Sequence, residues 1–137
     1  MSVVQHWVNG AAFAGASTRT APVYNPATGE AQRQVALATA ADVDHAVQVA
    51  KAAFPGWSGT SIAKRQQIMF AFREGLNARK DELAAILTNE HGKVLSDAGG
   101  EIARGLEVVE LACSIPQLMK GEFSENVSTG VDVYSIK

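Results

Sequence analysis

The chain has 137 residues, 12 Lys and Arg against 14 Asp and Glu, and is 47% hydrophobic, enough for one domain or part of a larger one. A single cysteine excludes an internal disulfide framework and a cysteine-based zinc site, and a net charge of −2 leaves no electrostatic footprint for nucleic acid or an anionic membrane. No apolar run reaches the ~18 residues that span a bilayer, and the opening MSVVQHWVNG has neither a secretory nor a transit pattern, so the expected location is the cytoplasm.

The first third reads as β. Gln5–Val8 leads into Asn9-Gly10, a dipeptide that tolerates φ > 0 and suits a type I′ hairpin turn. Pro22-Val23-Tyr24 runs into Asn25-Pro26-Ala27-Thr28-Gly29-Glu30, a second turn, and Gln32 to Leu37 leaves it as a strand.

The middle reads as four helices. Thr39 with Asp42 three residues on resembles a capping box, and Val43, Ala46, Val47, Ala50 and Phe54 follow at helical spacing until Pro55-Gly56, where the helix should stop. Ser61 should cap a second helix with a stripe of Ile68, Met69, Phe72 and Leu76. Asp81 should cap a third, which carries Leu83, Ile86, Leu87 and Glu90 and closes at Gly92. Ser96 opens the longest, with Ile102, Leu106, Val109 and Cys113 on one face until Pro116 bends or ends it. Val131–Lys137 alternates apolar and polar residues, which predicts a half-buried strand, and no turn or returning strand follows it. With 23 alanines and 7% aromatic residues, helices form readily but little bulk is available for a core.

Little in the residues assembles into chemistry. Cys113 lies on an apolar helix stripe and reads as a small buried hydrophobe rather than a nucleophile. His6, His45 and His91 fall in different elements without metal-ligand spacing, so no metal site is expected. The glycines between Gly10 and Gly15 and between Gly92 and Gly100 match neither phosphate-binding pattern. Arg104 reads from spacing alone as a solvated guanidinium paired with Glu101, Glu107 or Glu110.

The order of motifs resembles the aldehyde dehydrogenase family. It is carried by Trp7-Val8-Asn9-Gly10, the Val23 to Glu30 stretch, the Asp42 to Trp57 pattern of alanines and valines, and Glu90-His91-Gly92-Lys93 with Asp97-Ala98 and Glu101. Arg104-Gly105-Leu106-Glu107-Val108-Val109-Glu110, followed by Ala112-Cys113-Ser114, is similar to the CoA-acylating methylmalonate-semialdehyde branch. The resemblance implies an α/β fold: the N-terminal portion of an aldehyde dehydrogenase, with a β-hairpin arm, four helices and a terminal oligomerisation-type strand. Residues 1–125 would be the first part of the NAD-binding domain and 126–137 the start of the oligomerisation strand, the rest of the cofactor domain and the catalytic domain being absent. It further implies that the full-length enzyme is a homo-oligomer that uses NAD and coenzyme A to convert a small semialdehyde to an acyl-CoA with loss of carbon dioxide. On this chain the resemblance places no catalytic residue, no cofactor ligand and no metal ligand. It does place Arg104 near the substrate entrance as a carboxylate ligand, and it implies that the 137 residues alone oxidise no aldehyde. Two alternatives stand beside it: a non-catalytic helical interaction module, and an aldehyde dehydrogenase of another substrate class.

Overall fold

A computed structural model describes residues 1–137 and divides them into two compact units. The first comprises residues 1–60 and 81–102, and the second residues 61–80 and 103–137.

In the first unit, β2 (His6–Val8) and β3 (Ala11–Phe13) form the antiparallel hairpin that Asn9-Gly10 predicts. Asn9 at φ 55° and Gly10 at φ 74° supply the two left-handed residues of a type I′ turn. A separate sheet has the order β1–β5–β4. Here β4 (Thr20–Tyr24) pairs antiparallel with β5 (Ala31–Ala36) across the Asn25–Glu30 turn, and β1 (Val3–Val4) pairs parallel with β5. The parallel pairing of β1 has no local signature, because its partner lies some thirty residues on, Val3 opposite Gln34.

Helix α1 (Ala40–Ser58) starts at the Thr39 capping box but does not stop at Pro55-Gly56. A proline takes away one helical hydrogen bond, while its fixed φ is compatible with helix. The last turn is held by other bonds: Gly59 N–H to the Pro55 carbonyl at 3.0 Å and Thr60 Oγ1 to the Gly56 carbonyl at 2.8 Å. Helix α3 (Lys80–His91) begins one residue before Asp81, which therefore lies in the first turn, where a carboxylate favours the helix dipole, rather than at the cap. It closes at Gly92, whose φ of 79° is the left-handed C′ geometry. A Cβ there would lie 3.0 Å from Pro26 Cγ, so the Asn25–Glu30 turn packs on the end of α3. Arg33 and Glu90 pair beside that contact. Helix α4 (Leu95–Cys113) begins in this unit, with Ala98 fully buried.

In the second unit, α2 (Ile62–Ala78) is capped by Ser61, whose hydroxyl accepts from Lys64 N–H. Its inward face differs from the expected stripe. Ile62, Arg65, Gln66, Met69, Arg73 and Leu76 are half-buried, whereas Ile68 and Phe72 are each 50% exposed. Two basic side chains and an amide thus occupy a face that apolar spacing alone does not find. The remainder of α4 buries Cys113 and half-buries Leu106 and Val109, on the face the period predicts. The helix ends before Pro116, which sits in the first turn of a short α5 (Ile115–Leu118).

The terminal strand departs most from expectation. β7 (Val131–Ser135) is exposed along its whole length, and it has a partner, β6 (Glu122–Ser128), which precedes rather than follows it. β6 is hard to read because it is polar and irregular. Asn126 adopts φ 54°, the register shifts between Ser124 and Ser128, and Asp132 Oδ1 accepts from Asn126 N–H at 2.8 Å. The side chains buried most fully in the chain are small ones: Ala84, Ala98 and Cys113, with Asp42. Large apolar side chains such as Val43, Val47, Val108 and Leu111 are more than half exposed.

Candidate functional site

In the first unit, the β2–β3 hairpin lies against the N-terminal half of α1. Together they enclose a cleft of about 490 Å³, lined by Trp7, Phe13, Val43, Ala46 and Val47, with His6 and Asp42 at its polar end. Asp42 is the hub of that end. Its Oδ1 accepts from Ala16 N–H at 2.9 Å, and its Oδ2 accepts from Thr39 N–H at 2.8 Å and Thr39 Oγ1–H at 2.7 Å. One carboxylate therefore caps the helix and also ties the residues after the hairpin to it. Gly15 stands in the contact at φ 76°, where a Cβ would lie 3.3 Å from Asp42 Oδ2 and from the His6 ring. The capping pattern shows Asp42 in the sequence, but not its long-range bond to Ala16.

The Thr39 hydroxyl, then the Thr39 and Ala16 amides, hold the Asp42 carboxyl below the ordinary carboxylate range. A depressed folded value means that the stabilisation is present above the unfolded value and is lost as pH falls through the folded one. Below the ordinary carboxylate range, exchange of the Ala16 amide is therefore expected to accelerate. Asp42→Asn, which keeps only one of the two acceptor oxygens and cannot titrate, should loosen the contact at every pH and abolish that acid response. An Ala16 amide whose acid dependence is the same in both proteins would contradict this role.

Two of the three histidines, His6 and His45, share a neighbour that their sequence spacing does not indicate. Phe13 lies between His6 and His45, at ring-centroid distances of 6.3 and 5.3 Å. No three His, Cys, Asp or Glu side chains converge as metal ligands. His91 is in the last turn of α3. Cys113 is buried, at the end of α4.

Arg104, on the α4 segment of the second unit, is exposed and makes no hydrogen bond or ion pair. Its expected acidic partners are otherwise engaged or apart. Glu101 binds Lys93, whose ammonium holds the Glu101 carboxyl below its usual range. Glu110 accepts from Arg73, through Nε at 2.9 Å and Nη2 at 2.7 Å. A Cβ on Gly105 would meet nothing within 4 Å, so the backbone beside Arg104 faces open space. A free guanidinium next to an unobstructed backbone can take a carboxylate through paired hydrogen bonds. The glycines Gly99, Gly100 and Gly105 lie inside α4, where helix bonding occupies their amides, so they form no phosphate cradle for a dinucleotide.

A profile of the aldehyde dehydrogenase family matches residues 13–137. The chain belongs to that family. It is 42% identical, over 135 residues, to a malonate-semialdehyde dehydrogenase of Pseudomonas aeruginosa, covering 98% of this chain and 27% of that one. It is 44% identical over 134 residues to the mitochondrial acylating methylmalonate-semialdehyde dehydrogenase of Arabidopsis thaliana, covering 98% of this chain and 22% of that one. Among solved structures, it matches methylmalonate-semialdehyde dehydrogenase from Oceanimonas doudoroffii at 43% identity and TM-score 0.87, covering 98% and 27% of the two chains. A Sinorhizobium meliloti 1021 protein assigned as a methylmalonate-semialdehyde dehydrogenase and solved with NAD matches at 46% and TM-score 0.88, covering 99% and 28%. The chain thus spans about a quarter of the length of the relatives it matches, and the α/β architecture is that of the N-terminal part of the family fold.

Proposed function

We propose that this chain is the N-terminal part of an NAD-dependent, CoA-acylating dehydrogenase of malonate or methylmalonate semialdehyde, located in the cytoplasm. In this reading residues 1–125 begin the NAD-binding domain, and residues 126–137 begin the oligomerisation strand through which copies associate. The hydride acceptor, the catalytic thiol and coenzyme A act through residues outside this chain, and no step is routed through residues 1–137 except substrate recognition by Arg104. The observation that carries the proposal is the free Arg104 guanidinium, in a chain more than 40% identical to enzymes named for carboxylate-bearing semialdehydes. The exposed apolar faces at Val43 and Val47 of α1 and Val108 and Leu111 of α4 also support it. They are surfaces that a folded protein ordinarily covers, and an enzyme of the relatives' length has the chain to cover them.

The test is a chimera in which these residues replace the matching stretch of the P. aeruginosa enzyme. It should form acyl-CoA and NADH from malonate semialdehyde, NAD and coenzyme A. A chimera that folds and oxidises an uncharged aldehyde such as propanal, but not malonate semialdehyde, would assign the chain to another substrate class.

A further inference from the structure

The second unit holds Arg104 on a helix segment that is pinned by polar side chains of its neighbour, and this has a consequence for specificity. Gln66 and Arg73 are seven residues apart on α2, about two helical turns, so they point to the same side. Gln66 Nε2 donates to the Cys113 carbonyl at 2.7 Å, satisfying one of the last carbonyls of α4, which have no partner within the helix. Arg73 gives Nε and Nη2 to Glu110 Oε1 and Nη1 to Glu74 Oε1. The apolar face of α4 in this unit, Leu106 and Val109, is only half-buried and offers contacts without direction. The directed bonds are the three from α2, one from Gln66 and two from Arg73. Arg104 stands six residues, about 9 Å of helix rise, before Glu110. A tilt or slide of α4 at its pinned end therefore moves the guanidinium, and paired hydrogen bonds to a carboxylate tolerate little displacement.

We infer that Arg73 and Gln66 are positioning residues that set the place of the Arg104 guanidinium, and so the preference for a carboxylate-bearing semialdehyde. This rests on the reading of Arg104 as the carboxylate ligand. In the chimera, Arg73→Gln should lower kcat/KM for malonate semialdehyde about two- to fivefold, the range of a half-exposed pair, mainly through KM. It should leave kcat/KM for propanal unchanged. Arg73→Lys should recover most of the loss. Glu110→Gln, which takes the charge out of the same pair but keeps an accepting oxygen, should act in the same direction as Arg73→Gln and no more strongly, and the double variant should be no worse than Arg73→Gln alone. Gln66→Leu should act in the same direction. An equal loss on both aldehydes would make the pair merely structural and overturn the inference, as would no loss on either. Arg104→Ala, measured alongside, separates the two failures. If it is unselective, the reading of Arg104 and this inference fall together. If it is selective while Arg73→Gln and Glu110→Gln are not, only the positioning role falls.

Discussion

Arg104→Ala in the chimera is expected to lower kcat/KM for malonate semialdehyde by about 10- to 150-fold, which corresponds to ~1.5–3 kcal/mol for a hydrogen bond to a charged group. Propanal should be oxidised at nearly the unchanged rate. The selectivity follows from what the side chain does in the free protein. Arg104 is exposed and unpaired, so its removal breaks no ion pair and leaves no buried charge behind. Any large loss must therefore come from the substrate. Arg104→Lys keeps the charge but not the planar fork that grips both carboxylate oxygens, and should recover only part of the activity. A loss shared equally by charged and uncharged aldehydes would show that Arg104 supports the fold, and the substrate assignment would fail.

The parts of this structure that were legible in the sequence are those governed by short-range rules. Asn9-Gly10 specifies its hairpin because two adjacent left-handed residues leave few other conformations. Thr39 and Asp42 specify the start of α1 because each side chain satisfies the other's backbone. The face of α4 is legible because apolar period and burial coincide at Ile102, Leu106, Val109 and Cys113. What was hidden depends on partners distant in the chain. The inward face of α2 carries Arg65, Gln66 and Arg73, and the last two meet a carbonyl and a carboxylate dozens of residues away, so apolar spacing selects Ile68 and Phe72 instead. Pro55 misleads for a related reason: the bonds that carry the helix past it come from Ser58, Gly59 and Thr60, beyond the proline. For the site, spacing placed Arg104 on a helix beside acidic neighbours but could not show that Glu101 and Glu110 are bound to Lys93 and Arg73.

The hairpin of β6 and β7 should be the element most sensitive to one added methyl group. A Cβ on Gly121 would run into the Ser135 carbonyl oxygen and lie 3.0 Å from the Ser135 carbonyl carbon. Both atoms are backbone, so no side chain can rotate away. The clash falls at the base of the hairpin, where Glu122 opposes Ser135 and Phe123 stacks against Tyr134 with ring centroids 4.8 Å apart. Every residue of both strands is exposed, so no buried face holds the pair in place once that register is lost. Gly121→Ala should therefore cost about 1–3 kcal/mol, the scale of forced overpacking, and open the hairpin from its base. The measurement is amide exchange at Glu122 and Ser124, which should accelerate strongly while the amides of α2 stay protected. Gly130→Ala provides the contrast. Its Cβ meets nothing within 4 Å, and its only penalty is the left-handed φ of 75°, so it should loosen the turn while leaving the base closed. If copies associate along the open edge of β7, as the proposed oligomerisation strand requires, Gly121→Ala should also lower the mass seen by light scattering more than Gly130→Ala does. Equal masses for the two variants, with the hairpin shown open in one of them, would place the interface elsewhere on the chain.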